Sequence, residues 1–166
     1  MNPLVFATRN PHKVRELTEM IAPLGLHAVS LDSIAPHAPE VDETGDTFAD
    51  NAALKAINAY EATGGLPALA DDSGICVEAL HGAPGIRSAR FAGEDATDPD
   101  NNRKLLEDLQ GETDRRAYFY CALALVCHRD QLNDPSLGTS EWPGLPESAV
   151  IIHLNGRVNG IITQEE

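Results

Sequence analysis

Short apolar runs typical of β-strands alternate along this chain with stretches whose apolar residues recur at helical spacing. The runs that predict strands are PLVFAT, LHAVSL, LPALA, GICVEAL and RRAYFYCALALVCH. The stretches that predict helices are NPHKVRELTEMIAPLG, TFADNAALKAINAYEAT and DPDNNRKLLEDLQG. RRAYFYCALALVCH is apolar on both alternating faces, as in a central strand covered on both sides. The alternation predicts one α/β domain.

Capping residues predict where the helices begin. Asn10 is the expected N-cap of the first helix, with Pro11 at its first position. Asp46 or Thr47 is expected to cap the second helix, and Asp98 the third.

Two segments predict reversals of the chain. Asp-Asp-Ser-Gly at 71–74 stands between two apolar runs and favours a turn between strands, because Asx and Ser side chains bond to their own backbone. AVIIHLNGRVNGII contains two Asn-Gly pairs, so a hairpin or a bulged strand is expected there.

The net charge of the chain restricts the classes of molecule that it is expected to bind. The net charge of −14 makes general binding to nucleic acid or to a membrane surface unfavourable.

Cys76, Cys121 and Cys127 lie in apolar runs and predict buried thiols in a reducing compartment. The polar N-terminal start does not have the pattern of a signal peptide, so a cytoplasmic location is expected. An anionic substrate would need a local cluster of cations or a metal ion.

Such a cluster stands at the start of the first predicted helix. Arg9, His12 and Lys13 crowd a helix end that ordinarily favours acidic side chains. Free backbone N–H groups there bind phosphate, and Thr8 and Asn10 add donors. The alternative is a capped helix whose basic residues are simply solvated. Neither a Walker A motif nor G-x-G-x-x-G is present in the sequence.

Carboxylates form a second candidate cluster. Glu43, in the loop before the second helix, together with Asp71 or Asp72, predicts a Mg²⁺ site, because magnesium is held by one or two carboxylates plus waters and substrate phosphates. The alternatives are ordinary helix capping for the loop and an ordinary turn for the aspartates.

Further basic residues could contact an anionic substrate. Thr47, Asn51 and Lys55 are spaced four apart and share one face of the second helix. Lys55 therefore either faces a phosphate or is solvated. Arg87 and Arg90 lie in a glycine-bearing loop, where they either contact substrate or pair with surface acids.

Long motifs resemble those of a known family. FATRNPHKVREL, VDETGDTFADNAALKA, ALADDSGICVEALHGAPGIRSARFAGEDATD and RRAYFYCALALV follow in the order of the Ham1-like nucleoside triphosphate pyrophosphatases, the inosine/xanthosine triphosphatase family. The resemblance implies one elongated α/β domain over residues 1–166, with a long mixed sheet flanked by helices and two lobes around a cleft. It also implies Mg²⁺-dependent hydrolysis of ITP, dITP and XTP to the monophosphate and pyrophosphate by a homodimer.

The resemblance assigns roles to individual residues. Glu43 is similar to the family's metal-binding glutamate, and Asp72 resembles its metal-associated general base. Lys55 matches a lysine that faces the phosphates, Ser73 resembles a substrate contact, and Asp71 also matches the pattern. The matched phosphate-binding segment consists of Thr8, Arg9, Asn10, Pro11, His12 and Lys13.

The chain departs from the family pattern at its C-terminal end. Family members continue with a Gly-Phe-Gly-Tyr-Asp-Pro segment, a lysine and a Ser-His-Arg segment, whereas this sequence ends at TQEE. The domain is therefore expected to be incomplete in the part that recognises the base. The alternative function is a catalytically impaired nucleotide-binding or interaction protein.

Overall fold

A computed structural model describes residues 3–8, 10–134 and 136–164 of the chain. In chain order its main elements are β1 (Leu4–Phe6), α1 (Pro11–Ile21), β2 (Ala28–Ser30), α2 (Leu31–Ile34), α3 (Phe48–Ala62), β3 (Ala68–Val77), α4 (Asp98–Asp108), β4 (Arg116–His128) and β5 (Ala149–Ile161). Short 3₁₀ helices cover Ala22–Leu24, Glu78–Leu80, Gly85–Arg90 and Arg129–Gln131. In these described ranges, none of the helices combines the length and the apolar character needed to cross a membrane.

The strands form one mixed sheet of five in the order β2-β1-β3-β4-β5, which confirms the α/β prediction. β1 pairs in parallel with both of its neighbours. Val5 is opposite Ala68 and Phe6 is opposite Leu69, so β3 leaves this pairing at the level where β1 ends. The carboxyl end of the short strand β1 therefore lies beside the first residues of β3, and the chain that follows β1 lies next to the residues that follow Leu69.

The predicted helix starts are confirmed for two helices and wrong by one residue for the third. The Asn10 side chain accepts a hydrogen bond from the His12 N–H, and Thr47 caps α3. Thr97, rather than Asp98, caps α4, because its hydroxyl accepts the Asp100 N–H while the Asp100 carboxylate accepts the Thr97 N–H. This reciprocal capping box uses the residue before the aspartate.

Residues 71–74 do not form the predicted turn. They lie inside β3, which runs without interruption from Ala68 to Val77 between β1 and β4. The strand is paired with β1 at its first residues and has β4 as its other neighbour, and this sheet context outweighs the local preference of Asp, Ser and Gly for turns. Because side chains alternate along a strand, Asp71 and Asp72 face opposite sides of the sheet.

Of the two alternatives expected for AVIIHLNGRVNGII, a hairpin or a bulged strand, the hairpin is wrong. β5 is one strand of 13 residues. A two-residue Asn-Gly turn requires positive φ, and neither Gly156 nor Gly160 is among the glycines with positive φ.

The chain divides into two compact units. The first contains the residues up to Asp71 and Leu123–Leu154, and the second contains Asp72–Ala122 and the residues from Asn155 onward. In the first unit, α3 buries a face of small side chains, which lets a helix backbone pack closely. These are Ala52, Ala53, Ala56 and Ala59.

The second unit has its own apolar cluster around α4. Leu105 of the helix and Leu109, its C-cap, pack with Val77 and Ala117. The partly buried residues Ile75, Leu80, Phe91 and Ile162 pack against them. Arg115 ties the chain beyond β5 to this unit, because its guanidinium donates to the carbonyl oxygens of Ile162 at 2.9 Å and Thr163 at 2.8 Å.

The three cysteines are only partly as predicted. Cys76 and Cys127 are buried, whereas Cys121 is half-buried. Burial raises the pKa of the Cys127 thiol. All three are free thiols.

Ser88 fixes β3 where the strand passes Gly74. Its Oγ accepts the Ile75 N–H at 3.0 Å and donates to the Gly85 carbonyl at 2.6 Å. A Cβ at position 74 would overlap Ser88 Oγ and lie 2.5 Å from the Gly85 carbonyl oxygen. Position 74 therefore requires glycine for steric reasons.

We expect Gly74→Ala to lower the free energy of unfolding by about 1–3 kcal/mol, because the added methyl group has to displace backbone. Gly156→Ala is the matched control, since position 156 also lies in a strand but a Cβ there meets nothing within 4 Å. Its effect should stay below about 0.5 kcal/mol. Urea denaturation of both variants measures the difference, and equal midpoints would contradict this reading of Gly74.

Candidate active site

The connection between β1 and α1 presents the first group of polar side chains. The Asn10 cap begins α1, and Thr8 Oγ1 accepts the Asn10 N–H at 3.2 Å. Lys13, in the first turn of α1, reaches Asp71 of β3, with Nζ 2.6 Å from Oδ2. The Asp71 side chain is only 13% exposed, which makes this ion pair less screened than a surface pair.

Strand register explains why these groups meet. Phe6 is opposite Leu69, and the Ala7 N–H donates to the Leu69 carbonyl at 2.8 Å. Two residues farther along each parallel strand are Thr8 and Asp71. Thr8 follows the carboxyl end of β1, which is the usual place for a ligand site in open α/β sheets, and Asp71 lies beside it within β3.

Most of the other residues of the predicted phosphate-binding segment are exposed. Asn10, Pro11 and His12 are exposed, and Arg15 Nη2 lies 3.2 Å from His12 Nδ1. Arg9 lies outside the described residues. The structure thus brings Lys13 to the carboxylate of Asp71, places Thr8 near them and leaves Asn10 its capping role.

A second ion pair joins the loop before α3 to that helix. Lys55 Nζ lies 2.9 Å from Glu43 Oε1, and the two side chains are 20% and 29% exposed. The backbone of the same loop is held by Asn51, whose Oδ1 accepts the Gly45 N–H at 2.8 Å. Thr47, Asn51 and Lys55 share one helix face, as predicted. Asn51 and Lys55 contact this loop, and Thr47 caps α3.

Both ion pairs line one cavity of about 260 Å³ in the first unit. Its lining includes Thr8, Lys13, Glu43, Lys55 and Asp71. The acidic side chain of Glu40 also lines it, so the cavity brings two ammonium groups and three carboxylates together. The lysines are attached to two different helices, so an anion between them would be bound from two sides.

The donor set of the cavity is compatible with magnesium. Among the described residues, no group of three or more His, Cys, Asp or Glu side chains is placed to hold a metal ion. Glu43 and Asp71 nevertheless supply carboxylate oxygens to the same cavity. Mg²⁺ commonly takes one or two carboxylates and completes its shell with water and substrate phosphate. The residues therefore fit a metal that binds together with an anionic substrate.

The remaining candidates belong to the second unit. Asp72 is 9% exposed, and a carboxylate so buried needs polar partners or a cation. Ser73 lines a largely apolar cavity of about 800 Å³ with Phe119 and Ile161. Arg90, at the end of the 3₁₀ helix Gly85–Arg90, has its Nε 3.9 Å from the carboxylate of Glu94.

Sequence reasoning did not identify Gly45 or Ser88 as residues that shape these sites. A glycine inside a strand signals close approach of another chain segment, so Gly74 was a detectable clue to Ser88. Gly45 carried no such signal, because glycine is ordinary in a loop. Only the contact with α3 reveals its function.

Comparison with protein families gives a match to the Ham1 family over residues 4–166. Among curated proteins, the dITP/XTP pyrophosphatase of Nitrosomonas europaea is 49% identical over 144 residues, which is 87% of this chain and 69% of that protein. The dITP/XTP pyrophosphatase of Exiguobacterium sp. is 57% identical over 123 residues, covering 74% of this chain and 62% of that protein.

Solved structures agree with the fold. A HAM1 protein from Coxiella burnetii superposes with a TM-score of 0.78 at 35% identity, covering 99% of this chain and 75% of that one. The Ham1 protein of Staphylococcus aureus gives a TM-score of 0.75 at 34% identity, covering 98% of this chain and 72% of that one. With a family match over nearly the whole chain and relatives near half identity, this chain belongs to the Ham1 family.

Proposed function

We propose that this chain is a nucleoside triphosphate pyrophosphatase that hydrolyses dITP, ITP and XTP to the monophosphate and pyrophosphate with Mg²⁺. The observation that carries the proposal is the cavity in which Lys13 and Lys55 are paired with Asp71 and Glu43. The dITP/XTP pyrophosphatase relatives supply the substrate class. Clearing deaminated purine nucleotides is the corresponding cellular role, in the cytoplasm.

The size of the cavity favours the phosphate tail as its occupant. Its volume of about 260 Å³ is below the roughly 300–1,000 Å³ of sites that enclose a drug-sized ligand. The ammonium groups of Lys13 and Lys55 match the charge of a polyphosphate. On binding, each lysine would exchange its carboxylate partner for phosphate oxygen, and the released carboxylate would become available to a cation.

The residues proposed to hold Mg²⁺ are Glu43 and Asp71, whose carboxylates line the cavity. The family resemblance makes Asp72, the next residue of β3, the proposed general base. A bound magnesium ion would offset negative charge on the phosphate oxygens. Asp72 takes the proton of a water molecule whose oxygen bonds to the α-phosphorus. The bond from that phosphorus to the bridging oxygen breaks, and pyrophosphate leaves beside Lys13 and Lys55. Phosphoryl transfer of this kind relies on positioning and charge stabilisation rather than on a protein nucleophile.

A non-catalytic binding protein is the second candidate, and the exposed apolar surface of the second unit favours it. Phe119, Val158 and Ile161 are 50%, 72% and 72% exposed, and β5 is the last strand in the sheet order. An open strand edge is a site for pairing with another chain. A second copy of this chain is the partner proposed here, as a homodimer.

Substrate hydrolysis separates the two candidates. We expect the purified chain to release pyrophosphate from ITP, dITP and XTP only with Mg²⁺, and more slowly from dATP and dTTP. Pyrophosphate release is followed with a coupled phosphate assay, with EDTA as the control. Binding of ITP without release would support the non-catalytic candidate instead, and equal rates on all nucleotides would contradict base selection.

We expect Asp72→Asn to lower kcat by about 10²–10⁴-fold, because the amide cannot accept the proton of the attacking water. Asp71→Asn on the neighbouring residue is the matched control for a lost carboxylate. It should raise KM more than it lowers kcat, since Asp71 contacts Lys13. Unchanged turnover of folded Asp72→Asn would remove Asp72 from the proposed mechanism.

We expect Lys13→Met and Lys55→Met each to weaken pyrophosphate binding by about 10–100-fold, since hydrogen bonds to charged groups are worth about 1.5–3 kcal/mol. Lys104→Met is the control, because Lys104 is also paired with a carboxylate, that of Asp108 at 2.9 Å, but lies on α4. Calorimetric titration with pyrophosphate and Mg²⁺ gives the three affinities. Equal affinities would show that the cavity does not bind phosphate.

A further inference from the structure

α3 and α4 begin with the same pattern of polar residues. The pattern is Thr-x-x-Asp-Asn, at 47–51 and again at 97–101. In both helices the threonine is the N-cap and the aspartate completes a capping box. The Thr47 N–H donates to Asp50 Oδ2 at 3.1 Å, and the Thr97 N–H donates to Asp100 Oδ2 at 3.0 Å. The boxes satisfy backbone groups at each helix start.

The asparagine that follows each box turns inward. Asn51 is fully buried and Asn101 is 8% exposed. Each Oδ1 accepts a backbone N–H from the loop before its helix, from Gly45 at 2.8 Å and from Ala92 at 2.8 Å. A buried amide that bonds to backbone fixes the segment to which it is bonded, since breaking the bond leaves buried polar groups unsatisfied.

The loop at Gly45 is held closely enough to exclude a side chain. A Cβ at position 45 would lie 2.5 Å from Asp50 Cβ and 2.7 Å from Asn51 Oδ1. Glu43 is two residues before this contact point, and its carboxylate meets Lys55, one helical turn after Asn51. The loop around Glu43 is therefore attached to α3 at its backbone and at its carboxylate.

We propose that Asn51 is a positioning residue: its bond to the Gly45 N–H places the Glu43 carboxylate for the metal ion. The equivalent bond from Asn101 holds a loop of the second unit at Ala92. This inference rests on the metal-binding part of the proposed function. It does not require that the chain hydrolyse a nucleotide.

Amide exchange tests the bond itself. In ¹⁵N-labelled wild-type chain, the Gly45 amide should exchange with solvent at least ten times more slowly than in Asn51→Ala. Asn101→Ala should leave Gly45 exchange unchanged and accelerate that of Ala92. If Gly45 exchanges equally fast in wild type and in Asn51→Ala, Asn51 does not hold this loop and the proposal is overturned.

Magnesium binding tests the consequence. Loss of a residue that orients a metal ligand commonly costs about 10–100-fold in metal affinity. Titration of Mg²⁺ in the presence of pyrophosphate, followed by amide shifts, should therefore give a Kd at least tenfold higher for Asn51→Ala and within twofold of wild type for Asn101→Ala. Gly45→Ala, which keeps Asn51 but displaces the loop, should weaken Mg²⁺ binding as Asn51→Ala does.

The outcomes separate this inference from the proposed function. Mg²⁺ affinity that is equal in wild type, Asn51→Ala and Gly45→Ala overturns the inference. A wild-type chain that binds no Mg²⁺ overturns it together with the metal part of the function. A wild-type chain that binds Mg²⁺ but releases no pyrophosphate overturns the function alone, and the affinities of the variants then still decide the inference. If Asn51→Ala does not fold, Gly45→Ala provides the same comparison.

Discussion

The parallel pairing of β1 with β3 is the constraint on which the candidate site depends. With Phe6 opposite Leu69, the two strands deliver Thr8 and Asp71 to one edge of the sheet. α1 begins immediately beyond β1, so Lys13 in its first turn lies within reach of Asp71. A strand of only three residues thereby determines which cation meets which carboxylate.

The cavity resolves a conflict between the charge of the chain and the charge of its proposed substrate. A net charge of −14 repels anions at a distance, yet Lys13 and Lys55 keep two positive charges where a polyphosphate would bind. Pairing with Asp71 and Glu43 holds these flexible side chains in place before any ligand arrives. Side chains ordered in advance lose less conformational entropy on binding.

Features decided by neighbouring residues could be predicted from the sequence, and features decided by distant contacts could not. The Asn10 and Thr47 caps depend on the next three residues and were predicted, although the box at Thr97 displaced the expected Asp98 cap. The segment 71–74 has turn-forming residues, but its place within a strand of the sheet, with β4 as neighbour, makes it strand. The ion pair of Lys13 with Asp71 spans 58 positions, and only the choice of residue types pointed to it.

Continuity of β3 also limits how this segment can change in evolution. Asp71 and Asp72 face opposite sides of the sheet, and the side of each is set by counting residues from the pairing at Leu69. Inserting or deleting one residue between positions 69 and 71 would exchange the faces of the two carboxylates without altering the composition of the strand. Changes in length should therefore accumulate in the loops, such as the one between β4 and β5, while β3 should vary by substitution alone.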